Sequence, residues 1–171
     1  MGQYYRIVLK DRDNTIKSYD PIDGYKLMEF SWSQLPTVSF ICKQLETPKR
    51  VYVIGDYASD SDNKNTYPDG QIPIETLRSI KPTHCKDLEY DYKEKWVFNI
   101  TKGVCFAIFP NSIFNLFLLC SIGNGYGGGD YEGINQEKVG TWYGDMIVIR
   151  PKILEDFKNY NECSGMMFDE C

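Results

Sequence analysis

The sequence predicts an α+β fold, in which a mostly antiparallel sheet and a few packed helices form a single domain of residues 1–171. At this length, 42% apolar and 15% aromatic residues are enough to close one sizeable hydrophobic core. Short apolar segments bounded by turn residues recur along the chain, which is typical of strands. Only a few segments carry apolar residues at helical spacing.

A β-hairpin is predicted near the N-terminus. Residues 4–9 alternate aromatic and aliphatic side chains, as expected of a strand. The mostly charged residues 10–14 then form a turn into a second short strand at residues 16–19.

The clearest predicted helix starts at Ser33, a suitable N-cap residue, and tolerates Pro36 in its first turn. It ends near Thr47, because the residue before a proline avoids the helical region. Its apolar residues at helical spacing are Leu35, Val38, Ile41, Cys42 and Leu45. A buried strand is predicted next, at residues 51–54.

The second half of the chain is predicted to add more strands and short helices. Residues 96–100 and 103–109 form two strands joined at Thr101 and Lys102, and the apolar run 113–122 leads into a glycine-rich stretch. The remaining elements are helical turns at 73–80, a final strand at 142–149 and a C-terminal helix at 151–160. We expect a mobile loop at residues 59–70 and a loose tail at residues 162–171.

The composition argues against two classes of partner. A net charge of −5 and a pI near 4.9, without a basic stripe, disfavour nucleic-acid binding by phosphate neutralisation. There is no apolar run of about 18 residues, and the N-terminal residues lack the features of a signal peptide. We therefore expect a cytoplasmic protein that binds neither nucleic acid nor membranes.

The six cysteines and the single histidine predict neither a metal site nor a cofactor. The chain has no CxxC pair, and His84 is too close in sequence to Cys85 for the two to chelate a metal alone. Without a secretory signal, the thiols are expected to be reduced and mostly buried. Cys105 and Cys120 lie in apolar runs, where burial suppresses thiol reactivity, so cysteine catalysis is not expected.

The glycine-rich stretch, residues 123–133, is the predicted functional site. Six of its eleven residues are glycine. Glycine is needed where the backbone adopts positive φ or where another group approaches the main chain closely, so a stretch this rich in glycine points to one of these two situations. Successive N–H groups of such a loop form a concavity for an anion such as phosphate, whereas the plainer alternative is a tight β-turn. The number of glycines favours binding.

Three Gly-Asp pairs recur at predicted strand or loop boundaries, at Asp56, Asp130 and Asp145. If they meet at one rim, their carboxylates can hold ribose hydroxyls, a cationic group or hydrated Mg²⁺. The alternative is that each aspartate caps its own turn. Carboxylates more than about 15 Å apart cannot share one small ligand.

Lys102 and several aromatic residues are further candidates. Lys102 is predicted either to balance the charge of a phosphate in the glycine-rich stretch or to be a solvated turn lysine. Aromatic side chains near the Gly-Asp pairs can stack on a flat ligand, although core packing explains Trp142 equally well. These aromatic residues are Tyr57, Tyr126, Tyr131, Trp142 and Tyr143.

Six segments of the chain occur in the same order in a known family. They are MGQYYRIVL, YKLMEFSW, RVYVIGDYA, WVFNITK, LCSIGNGYGGGDYEG and VGTWYGDMIVI. On these segments, over residues 1–149, the chain resembles a family of uncharacterised proteins of bacteria, phages and other mobile elements. The family carries an N-x-T-K turn, a GNGxGGGDY loop and a late W-x-GD segment.

This chain departs from the family pattern at three positions. Relatives often show Arg where this chain has Tyr126, His where it has Ile100 and Ala where it has Tyr143. If that Arg or His carries chemistry in the relatives, this chain has lost it. The resemblance therefore favours ligand binding over acid–base catalysis.

The motifs and aromatic residues together predict a ligand-binding set, and they leave catalytic residues unassigned. The set is Asp56, Tyr57, Asn99, Thr101, Lys102, Asn124, Gly125, Gly127, Gly128, Gly129, Asp130, Tyr131, Trp142 and Asp145.

The leading hypothesis is a protein that binds a phosphorylated, nucleotide-like small molecule with little or no catalysis. Because the resemblance includes phage proteins, one version is a counter-defence protein that sequesters a nucleotide signal in the host cytoplasm. One alternative is an acidic protein–protein inhibitor or immunity-type protein that binds a host protein. Another is a metal-dependent hydrolase or transferase that uses the Gly-Asp carboxylates.

Overall fold

A computed structural model describes residues 3–19, 24–26, 29–30, 36–63, 65, 72–108, 113–123, 137–151 and 160–162. Its strands are β1 Tyr5–Lys10, β2 Ile16–Tyr19, β3 Lys49–Gly55, β4 Pro82–Thr83, β5 Lys95–Asn99, β6 Val104–Ala107, β7 Ser121–Ile122, β8 Met146–Pro151 and β9 Asn161–Glu162. Its α-helices are α1 Pro36–Gln44, α2 Ile74–Arg78 and α3 Ile113–Leu119.

The strands form one sheet in the order β4-β2-β1-β3-β8-β5-β6-β9, and β7 pairs with β3. The long pairings are antiparallel, while β2–β4, β3–β7 and β6–β9 are parallel pairings of two residues each. The predicted α+β fold with a mostly antiparallel sheet is therefore confirmed. β8 pairs with the beginning of β3, and β7 pairs with its end.

The predicted N-terminal hairpin is confirmed. β1 and β2 pair antiparallel with Val8 opposite Ser18. The turn between them closes with a hydrogen bond from Asp11 N to Thr15 O, 2.8 Å. Asn14 adopts a φ of 70° there, a left-handed conformation that asparagine tolerates better than most residues.

Both faces of the central sheet are buried because side chains alternate along β3. Val51 and Val53 belong to the main core with residues of α1 and α3. Tyr52 and Ile54 belong to a second cluster with residues of α2. A strand that is covered on both faces is apolar throughout, as the sequence predicts for residues 51–54.

Helix α1 confirms the predicted helix over its described residues. Val38, Ile41, Cys42 and Leu45 are fully buried in the main core, as their helical spacing predicts. Pro36 is its first helical residue, where the missing N–H costs no hydrogen bond. The predicted N-cap Ser33, as well as Leu35, lies outside the described residues.

The apolar run 113–122 forms helix α3 followed by the short strand β7. Hydrophobic periodicity cannot tell a buried helix from a buried strand in a short run that is mostly apolar. Ser121 marks the change, because its hydroxyl donates to Leu118 O at 3.0 Å near the end of the helix.

The predicted final strand, residues 142–149, is wrong at its beginning, because β8 starts only at Met146. Residues 137–144 form successive turns instead. Gly140 and Gly144 adopt φ of 80° and 77°, which a strand does not allow. Gly144 N donates to Val51 O at 2.7 Å, so this turn is attached to the beginning of β3.

Several predicted loops and ends fall largely outside the described residues. In the predicted loop 59–70, Asp60–Asp62 forms a turn of 3₁₀ helix, and Ser59 N donates to Asp62 Oδ2 at 2.7 Å. Residues 64 and 66–70 of that loop, residues 152–159 of the predicted C-terminal helix and residues 163–171 of the predicted tail are not described.

The described cysteines are buried free thiols, as predicted, and are Cys42, Cys85, Cys105 and Cys120. Complete burial raises the pKa of Cys42 to about 12 and also raises the pKa of Cys120. Both thiols are therefore protonated and unreactive near neutral pH. In the described part of the chain, no helix is long and apolar enough to cross a membrane.

Candidate functional site

The N-x-T-K turn and the last Gly-Asp pair bind each other. Asp145 is 1% exposed, and its Oδ2 accepts hydrogen bonds from Asn99 Nδ2 at 2.8 Å and from Lys102 Nζ at 2.7 Å. Asn99 Oδ1 in turn accepts the backbone N–H of Lys102 at 3.0 Å. Thr101 Oγ1 accepts Met146 N at 2.9 Å. We call Asn99, Thr101, Lys102 and Asp145 the Asp145 cluster.

The Asp145 cluster attaches the β5–β6 hairpin to the beginning of β8. The Lys102 ammonium contacts a buried carboxylate, while its side chain remains 34% exposed. Its charge is thus paired within the protein, so Lys102 is a partly exposed lysine that is held in an ion pair. A buried carboxylate with two strong donors is typical of a structural network.

Trp142 lies in the core rather than at the surface. It is 2% exposed, and its indole packs against Phe106 with ring centroids 5.8 Å apart. Trp142 N donates to Leu119 O at 2.8 Å. The structure thus places Trp142 where the packing alternative expects it.

Asp56 and Asp145 do not meet. Val51 N donates to Asp145 O at 3.2 Å, and Asp56 lies five residues further along the chain, directly after β3. At about 3.3 Å per strand residue, their backbone positions are about 16 Å apart. The Asp145 carboxylate is also bound to Asn99 and Lys102 inside the protein, so Asp56 and Asp145 do not form the predicted common rim. Asp130 lies outside the described residues.

The glycine-rich stretch begins at the Asp56 end of the sheet. β3 and β7 run parallel with Ile54 opposite Ile122, so Gly55 and Gly123 come next on the two strands. The carboxyl ends of these two strands therefore lie side by side. Asp56 and Tyr57 follow one strand, and the glycine-rich stretch follows the other.

Gln3 contacts both of these glycines. Its side chain is fully buried, and a Cβ atom added at Gly55 or at Gly123 would lie under 3.0 Å from Gln3 Oε1. The Tyr5 side chain lies 3.0 Å or less from the same two Cβ positions. Glycine is favoured at both positions, because a side chain there would have to displace the buried Gln3 amide. Three segments that are far apart in the sequence therefore meet here: the N-terminal segment, the end of β3 and the start of the glycine-rich stretch.

A pocket of about 250 Å³ opens beside this junction. It is lined by Tyr4, Arg6, Ile54, Asp56 and Arg78, and we call it the Asp56 pocket. Antiparallel pairing places Arg6 of β1 opposite Ile54 of β3. The pocket thus combines two guanidinium groups, one carboxylate, one tyrosine and an apolar wall.

Arg78, the last residue of α2, holds the turn after β3 in place. Its Nη2 donates to the carbonyl oxygens of Gly55, Asp56 and Ala58 at 2.9, 3.2 and 2.7 Å. Its Nη1 contacts Glu75 Oε1 at 3.1 Å, a carboxylate whose side chain is 84% exposed. Arg6 Nη1 donates to Arg78 O at 2.9 Å, so the two arginines are linked.

Two exposed aromatic side chains lie at the Asp56 end. Tyr4 is 43% exposed and Tyr57 is 44% exposed, and among the described residues they are the large hydrophobic side chains that are exposed. Lys26 Nζ lies 5.9 Å from the centroid of the Tyr4 ring. Tyr57 immediately follows Asp56. An aromatic surface and positive charge are therefore combined at this end of the sheet.

The predicted set divides into three groups. Asn99, Thr101, Lys102 and Asp145 form one cluster with Trp142 in the core nearby, while Asp56 and Tyr57 lie at the other end of β3. The third group lies outside the described residues and comprises Asn124, Gly125, Gly127, Gly128, Gly129, Asp130 and Tyr131.

Four residues at this end of the sheet were not predicted from the sequence: Gln3, Tyr4, Arg6 and Arg78. Alternation along β1 could have pointed to Arg6. A charged residue between Tyr5 and Ile7 lies on the opposite face of the sheet from these two core residues. No local pattern places Arg78 against the end of β3, since the two are more than twenty residues apart.

Among the described residues, no group of three His, Cys, Asp or Glu side chains is placed to hold a metal ion. Comparison with protein-family models, with curated proteins and with solved structures finds no match to this chain.

Proposed function

We propose that the protein binds a small phosphorylated, nucleotide-like molecule in the Asp56 pocket. One observation carries this proposal: two arginines, an exposed tyrosine and an aspartate line a single pocket at the end of the sheet where the glycine-rich stretch begins. In a phage, as the resemblance suggests, such binding would sequester a nucleotide signal of the host.

Charge supports an anionic ligand. Arg6 and Arg78 outnumber Asp56 in the pocket, although the whole chain carries a net charge of −5. The guanidinium fork is the side chain best suited to phosphate oxygens. The exposed Arg78–Glu75 ion pair contributes little to stability, so a phosphate can replace Glu75 at low cost.

Size supports a ligand of the dimensions of a sugar phosphate. Pockets for drug-sized ligands usually measure about 300–1,000 Å³. The Asp56 pocket, at about 250 Å³, is slightly smaller. It accommodates a phosphate with its attached sugar, while Tyr4 at its edge offers a ring face on which a base can stack.

Calorimetric titration with ribose 5-phosphate and with nucleoside monophosphates tests the proposal. We expect saturable binding by the wild-type chain and a loss of about tenfold or more in affinity for Arg6→Ala, because one charge-assisted hydrogen bond is removed. Arg6 is the better choice for substitution, since Arg78→Ala would also release the turn after β3.

Arg12→Ala is the matched control, because Arg12 is an exposed arginine in the turn at the far end of β1. It should bind like the wild-type chain. The proposal fails if the folded wild-type chain does not bind these probes at millimolar concentration. It also fails if Arg6→Ala and the control Arg12→Ala lose affinity equally.

A second candidate, a protein–protein inhibitor, is favoured by the exposed rings of Tyr4 and Tyr57, since tyrosine is enriched at interfaces. Capture of a stoichiometric host protein by the wild-type chain, together with no binding of phosphorylated probes, would favour this candidate.

A further inference from the structure

Asp56 has a carboxylate oxygen that is available to a ligand. Its Oδ1 accepts one long hydrogen bond, from Tyr4 N at 3.3 Å, and Oδ2 receives no hydrogen bond from the described part of the chain. The side chain is exposed and lines the pocket. An ionised carboxylate only accepts hydrogen bonds, so this position requires a donor from the ligand.

The backbone around Asp56 is held firmly. Asp56 N donates to Tyr4 O at 3.0 Å, and Asp56 O accepts from Arg78 Nη2 at 3.2 Å. The backbone that carries the carboxylate is therefore fixed, which lowers the entropy that a ligand must overcome on binding. A carboxylate beside two guanidinium groups also orients the ligand, because its phosphate is repelled from Asp56 and attracted to Arg6 and Arg78.

A ligand that matches this arrangement has a phosphate at one end and hydrogen-bond donors at the other. Two adjacent hydroxyl groups suit a carboxylate, since each of its two oxygens can accept one hydrogen bond. We propose that Asp56 accepts hydrogen bonds from the vicinal hydroxyls of a ribose 5-phosphate group. The pocket would then bind ribonucleotides more tightly than deoxyribonucleotides. This inference rests on the proposed function and names the feature of the ligand that is recognised.

The test compares probes by calorimetry on the full chain. The probes are ribose 5-phosphate, 2-deoxyribose 5-phosphate, phosphoethanolamine and inorganic phosphate. Wild-type protein should bind ribose 5-phosphate about tenfold or more tightly than the deoxy sugar, the effect of one hydrogen bond to a charged group. In Asp56→Asn, the preference should fall below about threefold, because the neutral amide accepts more weakly.

Asp13→Asn is the control for the substitution, because Asp13 is an exposed aspartate at the far end of β1 that also accepts a backbone N–H, from Thr15 at 2.9 Å. It should retain the full preference, and both variants should unfold at the wild-type temperature.

Three results would overturn the inference. If wild-type protein binds the ribose and deoxyribose phosphates equally, the pocket binds phosphate but Asp56 does not recognise the ribose hydroxyls. If phosphoethanolamine binds more tightly than ribose 5-phosphate, Asp56 recognises an ammonium group instead. If the wild-type chain binds none of the probes, the proposed function fails together with the inference.

Discussion

Replacing Gly55 by alanine is expected to lower the free energy of unfolding by about 2 kcal/mol, the usual cost of forcing extra volume into a packed site. The new methyl group would lie under 3.0 Å from Gln3 Oε1 and 3.2 Å from Ile122 O. Gln3 is fully buried and has no solvent into which it can turn. Gly123→Ala meets the same amide and the Tyr5 hydroxyl, and should cost a similar amount.

Urea unfolding measures this cost, and a double-mutant cycle assigns it to Gln3. In a Gln3→Ala background, the cost of Gly55→Ala should fall by about 1 kcal/mol or more, because the amide that it meets has been removed. Equal costs in the two backgrounds would show that Gln3 does not pack against Gly55 as described.

Replacing Asp145 by alanine is expected to lower the free energy of unfolding by about 3 kcal/mol. The change leaves the fully buried Asn99 amide without its acceptor and removes the partner of Lys102. The expected loss is at the low end for a buried ion pair, because Lys102 is 34% exposed and can be solvated by water.

Asp56→Ala is the matched control for this substitution, because it is the same chemical change at an exposed aspartate that accepts one hydrogen bond of 3.3 Å. It should cost less than about 1 kcal/mol in the same urea experiment. Similar losses for the two variants would contradict the structural role given to the Asp145 cluster.

Elements with a strong local pattern could be predicted from the sequence. The β1–β2 hairpin follows from alternation and a turn, and α1 follows from the spacing of Val38, Ile41 and Leu45. The predicted start of the last strand was wrong because aromatic residues such as Trp142 and Tyr143 are common in strands. The positive φ of Gly144 shows that these residues lie in a turn before β8.

The candidate site was harder to predict because long-range contacts build it. The sequence suggested that the Gly-Asp pairs belong together, but the pairing of β3 with β8 places Asp145 at one end of β3 and Asp56 at the other. Arg78 reaches the pocket through hydrogen bonds to carbonyl oxygens, which no side-chain pattern reveals. The anion-binding role of the glycine-rich stretch stays a prediction, since residues 124–136 lie outside the described part of the chain.

The most direct test of the central claim, that the ligand site is the Asp56 pocket, is a map of backbone amide NMR shifts during titration with ribose 5-phosphate. We expect saturable shifts of the Gly55, Asp56 and Arg78 amides with one common dissociation constant. The amides of Asn99 and Asp145, which lie toward the other end of β3, should be unchanged. Saturable shifts centred on Asn99 and Asp145, with the Asp56 end unchanged, would contradict the claim.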